Sequence, residues 1–208
     1  MEHLQRRSVT CIFGAGESGK TSFAIRYLLN ARGVGCRFIF DPDGEFAARL
    51  KLKPHSTALE IEIGIRQGWV LFDPAELFGG DTEAALAFFC DLAMQFSAGL
   101  PGRKLFVVDE VWRHCSVRSI PPELLAVVKT GRKVSLQSVF ITQEPRELNE
   151  TLLAEGTEFV SFRLQGLNSL GRLADYGMPG QEQLPTLPRG QFIAWNKLSG
   201  GVTRAKLF

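Results

Sequence analysis

Short apolar runs recur along the chain, each followed by a polar or glycine-rich break and then by residues with helical spacing. Val9-Thr10-Cys11-Ile12-Phe13 reads as a buried strand. Phe23, Tyr27 and Leu28 give the segment opening at Thr21 one apolar helical face, with Gly33 as its stop. Cys36 to Phe40 is a second strand run, ended by Asp41-Pro42-Asp43-Gly44, a turn by composition. Thr57-Ala58-Leu59-Glu60 has the spacing of a capping box and predicts a helix to Gln67, stopped by Gly68; the alternation of Leu59, Ile61 and Ile63 fits a strand as well. Trp69 to Phe72 is another short strand, followed by a loop through Gly79-Gly80 and a helix capped near Asp81 that runs to about Phe96. Lys104 to Val108 predicts a central strand that delivers Asp109 and Glu110 at its carboxyl end. Pro121-Pro122 opens a helix ending at Gly131. Ser138 to Thr142 is the next strand, with Gln143 at its tip and a helix starting at Pro145, and Phe159 to Phe162 is a further strand. Gly190 to Trp195, the turn Ser199-Gly200-Gly201 and Val202 to Phe208 predict a C-terminal β-hairpin. Such alternation specifies an α/β sandwich with a mostly parallel central sheet.

The break after the first strand carries the chemistry. Gly14-Ala15-Gly16-Glu17-Ser18-Gly19-Lys20-Thr21 is a full Walker A element in its strand-loop-helix context. Its glycines let the backbone wrap so that N–H groups converge on phosphate oxygens. Lys20 is placed to reach the β- and γ-phosphates, Thr21 offers a hydroxyl to Mg²⁺, and the helix that follows turns its positive end to the anion.

Composition narrows the class without naming a partner. The chain has 208 residues, 45% apolar and 22% charged, which fits a single globular domain over residues 1–208. No apolar run approaches the roughly 18 to 20 residues needed to cross a bilayer, and Met1 to Arg7 leads into a core strand rather than a signal segment, so a cytoplasmic protein is expected. Cys11, Cys36, Cys90 and Cys115 form no paired motif, which excludes a zinc site and a disulfide framework; Cys11 and Cys90 read as small buried hydrophobes. The net charge is only +2, yet Arg outnumbers Lys sixteen to eight, which suits a phosphate-rich partner or Arg contacts between subunits.

The acidic pair at the end of the Lys104 strand turns a phosphate-binding loop into a candidate hydrolase. Val107-Val108-Asp109-Glu110 has the form of a Walker B strand with an adjacent acid: Asp109 would hold Mg²⁺ through water, and Glu110 would activate water against the γ-phosphate. A glutamate there points to water as acceptor rather than to a substrate hydroxyl. Gln143 is the third polar group: Ser138 to Gln143 resembles the extra strand that, in ATPases with a Walker B glutamate, separates the Walker A and Walker B strands and carries at its tip a polar residue that senses the γ-phosphate.

Taken together, the Walker A octet, Phe40-Asp41-Pro42-Asp43-Gly44-Glu45-Phe46, Val107-Val108-Asp109-Glu110, and Thr130-Gly131-Arg132-Lys133 followed by Phe140-Ile141-Thr142-Gln143-Glu144-Pro145 resemble the HerA/FtsK superfamily of DNA-pumping ATPases. Within it they are most similar to the small genome-packaging ATPases of tailless viruses with internal membranes. The resemblance implies a three-layer, RecA-like (ASCE) P-loop sandwich that uses ATP and Mg²⁺. It also implies a homo-oligomeric ring, usually hexameric, that drives double-stranded DNA through its centre at a viral capsid or membrane vertex. Arg132 matches the position of the inter-subunit arginine finger, a group worth roughly 10³ to 10⁵ in rate in related enzymes. Asp41 and Glu45 belong to the resemblance without a role of their own, as a turn acid and a helix-capping acid. The additional barrel, anchor and DNA-reading domains of larger members are not expected here, which leaves DNA contact to loops of the core. Trp112-Arg113-His114-Cys115-Ser116-Val117-Arg118 could line a pore on phosphates, or could be a surface loop with its Trp tucked into the core.

Rival readings stay open at this level. The Walker A loop also resembles that of G-protein α subunits, but Asn196-Lys197-Leu198-Ser199 lacks the guanine-reading aspartate. A nucleoside or small-molecule kinase would need an Arg lid and an acceptor pocket, neither evident. A non-catalytic nucleotide-dependent adaptor survives because a P-loop binds nucleotide without necessarily turning it over.

Overall fold

The computed structural model describes residues 8–207. The expected lead-in at residues 1–7 and the last residue of the expected hairpin, Phe208, lie outside them. The elements are β1 (Val9–Phe13), α1 (Lys20–Asn30), β2 (Val34–Phe40), α2 (Glu45–Leu50), α3 (Ala58–Gln67), β3 (Trp69–Phe72), α4 (Ala75–Phe78), α5 (Thr82–Gly99), β4 (Arg103–Val108), α6 (Pro122–Thr130), β5 (Leu136–Thr142), α7 (Glu150–Glu155), β6 (Glu158–Ser161), α8 (Leu167–Asp175), β7 (Gln191–Asn196) and β8 (Val202–Lys206). The strands form an eight-stranded sheet in the order β3-β2-β4-β5-β1-β6-β7-β8. The order matches the expectation that β5 stands between the strands of the two Walker elements. Residues cluster into two compact units.

The first unit comprises Tyr27–Asp109 and Pro121–Ser138. Its strands are parallel and in register, with Phe38 opposite Val70 on β3 and Phe106 on β4. Helix α5 exists because Asp81 caps it, accepting from Ala84 N–H at 3.0 Å, and because Ala85, Leu86, Phe89, Cys90 and Ala93 recur on one buried face. Phe89 stacks on Phe72 at 5.0 Å and 14° and leans on Phe40, Phe106 and Phe38 at 6.1, 5.7 and 6.3 Å. All five rings are fully buried. Burial of each contributes about 1.5 to 3 kcal/mol, and each ring pair about 0.5 to 1.5 kcal/mol more.

The expected capping box is present: Glu60 N–H donates to Thr57 Oγ1 at 3.3 Å while the Glu60 carboxylate accepts from Thr57 N–H at 3.2 Å. Gly68 ends α3 in the left-handed conformation at φ 80°. The strand alternative for Leu59 to Ile63 is therefore wrong. The loop expected through Gly79-Gly80 contains the one-turn helix α4, and Glu45 opens the short helix α2. Both are too short to show a helical period.

The second unit comprises residues 8–26, Glu110–Ile120 and 139–207. Here β1 runs parallel to β6, with Ile12 opposite Val160, and β6-β7-β8 is antiparallel, with Ile193 between Ser161 and Arg204, as the predicted hairpin requires. Thr157 ties the start of the pair: its N–H donates to Val9 O at 2.8 Å and its Oγ1 accepts from Val9 N–H at 3.0 Å. Edge-on ring contacts Phe13–Phe159 and Phe159–Trp195, both at 5.5 Å, fill the space beside β6. Pro145 opens only a 3-10 turn, Pro145–Glu147, because Asn149 restarts the chain as the cap of α7 by accepting from Thr151 N–H at 2.9 Å. Helix α8 is a further element, opened by Gly166 at φ 93°.

Candidate nucleotide site

The loop between β1 and α1 is shaped by its own side chains and by the chain that returns beside it. Ala15 N–H donates to Arg163 O at 2.8 Å, and Ser18 N–H closes back on Ala15 O at 3.2 Å. Glu17 completes the curve in the left-handed region at φ 57°. Only glycine fits at position 14, where a Cβ would stand 2.5 Å from Ser18 Oγ and 2.8 Å from Phe162 Cβ. Lys20 opens α1, is only 6% exposed, and donates from Nζ to Ala15 O at 3.1 Å, so its ammonium lies over the loop it is expected to serve. Thr21 follows in the first turn, half-buried.

The loop fits a phosphate. Ser18 Oγ is buried with no hydrogen-bond partner, which leaves an orphaned hydroxyl in the bend, and a buried unsatisfied hydroxyl costs about 1 to 3 kcal/mol. The lysine, the amides of the bend and the amino end of an eleven-residue helix all favour an anion there. Thr21, in the second unit, and Asp109, in the first, each carry a hard oxygen donor of the kind Mg²⁺ takes together with phosphate oxygens. Among the described residues no group of three or more His, Cys, Asp or Glu could hold a metal by itself.

Glu110 and Gln143 meet in the second unit. Glu110 is 8% exposed and sits at φ 42°, ψ 47°, a left-handed conformation rare for a residue with a side chain. Its Oε1 accepts from Gln143 Nε2 at 2.7 Å, and its Oε2 accepts from Gln143 N–H at 3.2 Å and from the Trp112 indole N–H at 2.8 Å. The other face of the Gln143 amide turns to the Walker loop: its Oε1 lies 3.6 Å from where a Cβ on Gly16 would be. The glutamine side chain thus reaches from beside Gly16 to the Glu110 carboxylate. Asp109 precedes Glu110 directly, at the carboxyl end of β4, half-buried.

With this geometry, comparison with known proteins is informative at the level of structure. No protein-family model and no curated protein matches the chain. Among solved structures, the genome packaging NTPase B204 from Sulfolobus turreted icosahedral virus 2 in complex with sulfate superposes with a TM-score of 0.80 at 17% identity, over 97% of each chain. The same NTPase in complex with ATP-gammaS gives 0.75 at 19% identity, over 96% of this chain and 97% of that one. VirB4 of Thermoanaerobacter pseudethanolicus gives 0.70 at 13% identity, over 99% of this chain and 92% of that one. The chain has the P-loop fold of B204. That fold is the α/β sandwich with a mostly parallel sheet that the sequence predicts.

The remaining predicted residues find their places within this B204-like fold. Arg132 and Lys133 lie on the 3-10 turn Gly131–Val134 after α6, both exposed, a position from which a guanidinium can reach outward. Asp41 is buried and caps α2, accepting from Phe46 N–H at 3.1 Å and Ala47 N–H at 2.8 Å, while Glu45 pairs with Arg49 at 2.7 Å. Both acids are structural, as a turn acid and a helix acid. The four cysteines are buried thiols, and burial pushes Cys11 and Cys36 up to about 12. In the loop after Glu110, Arg113 and Arg118 are exposed. Trp112 is half-buried, and its indole N–H is donated to Glu110.

Sequence reasoning missed the chain that backs the loop. Gly190 N–H donates to Ser18 O at 3.0 Å, Leu207 N–H to Gly190 O at 3.0 Å, and Arg26 Nη1 to Leu207 O. A Cβ on Gly19 would stand 3.2 Å from Leu207 Cδ1 and from Phe162 Cε1. The only signal was Arg189-Gly190 ahead of the hairpin, a glycine that permits close backbone approach.

Proposed function

We propose that the chain is an ATP-hydrolysing DNA translocase that packages a viral genome, with residues 1–208 acting as one ATPase domain. The observation that carries the reading is the bridge from Gly16 through Gln143 to Glu110, on a fold shared with a genome packaging NTPase that has been solved with ATP-gammaS. Lys20, the loop amides and Ser18 Oγ bind and orient the phosphates. Thr21 and Asp109 would hold Mg²⁺, which would supply positive charge against the phosphate oxygens. Glu110 takes a proton from water as its oxygen attacks the γ-phosphorus; the bond to the bridging oxygen breaks and ADP leaves. Gln143 senses the terminal phosphate from within the subunit.

The finer assignments rest on the resemblance. Like subunits form a ring, hexameric by analogy, in which Arg132 of one subunit completes the neighbour's site. Double-stranded DNA passes through the ring, recruited at a capsid or membrane vertex from the host cytoplasm. No helix among the described residues is long and apolar enough to cross a membrane. Phosphate release with and without double-stranded DNA tests the reading. DNA-stimulated hydrolysis of ATP supports a translocase; turnover that depends on a small-molecule acceptor, or no turnover with DNA present, overturns it.

A further inference from the structure

Trp112 is not part of any motif the proposed reaction uses, yet its one polar atom is spent on the hydrolytic acid. A carboxylate oxygen has two lone pairs for hydrogen bonding. Glu110 Oε2 accepts two N–H groups, from the Trp112 indole at 2.8 Å and from Gln143 N–H at 3.2 Å. Both of those N–H groups fall on the one oxygen. Oε1 faces the Gln143 side-chain amide, the group whose carbonyl end lies beside Gly16. Oε1 is therefore the oxygen turned to the side of the phosphate loop, where a proton would be accepted.

Rotation of the carboxylate about its last bond would exchange the two oxygens, and Gln143 alone cannot prevent it, because that side chain is exposed and has two ends to present. The indole can. It is held two residues beyond Glu110 on the 3-10 turn Val111–His114, which starts from the left-handed Glu110 itself. The turn is closed by Arg113 N–H on Glu110 O at 2.9 Å. Its far side is fixed by Asn149 Nδ2, which donates to Ser116 O at 2.9 Å and Val117 O at 3.1 Å. The left-handed conformation at Glu110, strained for a residue with a side chain, is the backbone geometry that brings residue 112 back over residue 110.

We infer that Trp112 is a positioning residue for hydrolysis: its indole N–H locks the Glu110 carboxylate so that Oε1 faces the nucleotide. This rests on the reading of Glu110 as the acid that activates water, and the two are separable by experiment. Trp112→Phe keeps the ring and removes the N–H; Trp112→Ala removes both. With the full chain, Trp112→Phe is expected to lower kcat about tenfold, the scale of a lost hydrogen bond to a charged group, with KM for ATP, the Kd of a non-hydrolysable analogue and Tm unchanged. Most of the kcat loss of Trp112→Ala should already be present in Trp112→Phe. A Trp112→Phe enzyme with wild-type or raised kcat overturns the lock. So does a loss confined to Trp112→Ala, which would make the ring a packing group, or a loss shared equally by kcat, Kd and Tm. Glu110→Gln is run in parallel: full turnover in that variant removes the glutamate and the proposed function with it, whereas an inactive Glu110→Gln beside an unaffected Trp112→Phe removes only the role of Trp112.

Discussion

Both compact units bury apolar cores, but they use their buried charges differently. In the first, the stacked rings of Phe38, Phe40, Phe72, Phe89 and Phe106 form the centre, and the buried charges are spent on backbone: Asp41 on the amides of α2, and Lys104 on Leu100 O and Gly102 O, both at 3.0 Å. In the second, Ser18, Lys20 and Glu110 are buried around a loop whose serine hydroxyl has no partner. Backbone strain divides the same way. The left-handed residues of the first unit, Lys51 and Ser135, end helical turns, where such a conformation closes a cap. Those of the second, Glu17 and Glu110, lie in the Walker loop and at the acid proposed to activate water. The first unit spends its buried charges on backbone, and the second gathers a buried lysine, serine and glutamate at and around the Walker loop.

Substitutions sharpen this contrast. Lys20→Ala should have the largest effect on activity, a loss of roughly a thousandfold in kcat/KM as the charge facing the phosphates disappears, with thermal stability in the absence of nucleotide nearly unchanged. A parallel loss of Tm and activity would break the division. Phe89→Ala should do the reverse. Removal of the ring that touches Phe38, Phe40, Phe72 and Phe106 is expected to destabilise the chain by about 3 to 5 kcal/mol in denaturant titration, while analogue binding at low temperature is retained.

Asp41→Ala should cost about 1 kcal/mol as the cap of α2 is lost, with no change in hydrolysis. It also carries a pH signature. Burial raises the Asp41 carboxyl above its ordinary value, against the opposing backbone hydrogen bonds, so the folded chain binds that proton more tightly than the unfolded one. Its contribution is therefore greatest at acid pH and declines as pH rises through the carboxylate range, and Asp41→Asn should remove that slope. Denaturant midpoints measured across pH 3 to 7, a window of about four units around the ordinary carboxylate values, check it.

Strands of both units were legible as apolar runs, and the candidate site as motif. Apolar runs located β2, β3, β4 and β5 because buried parallel strands are near-continuously hydrophobic, and Thr57 and Glu60 located α3 because the capping box is local chemistry. Helices α2 and α4 escaped because one turn has no period to read. At the site, Lys20 and Glu110 were nameable from the Walker motifs and Gln143 from its place at the tip of a strand resembling that of related ATPases. The bond from Trp112 was not, because a Trp two residues past an acid reads equally as core or surface until the left-handed turn at Glu110 is known. Nor was the contact of Gly190 and Leu207 with the phosphate loop, since nothing local to either residue encodes a partner more than 170 positions away.

The account stands or falls on Glu110 as the proton acceptor. Single-turnover hydrolysis by Glu110→Gln, with saturating ATP and Mg²⁺ and with double-stranded DNA present, tests it most directly. The prediction is wild-type affinity for nucleotide with hydrolysis slowed by roughly 10² to 10⁴, the range general-base removal produces. Hydrolysis at the wild-type rate in that variant would contradict it.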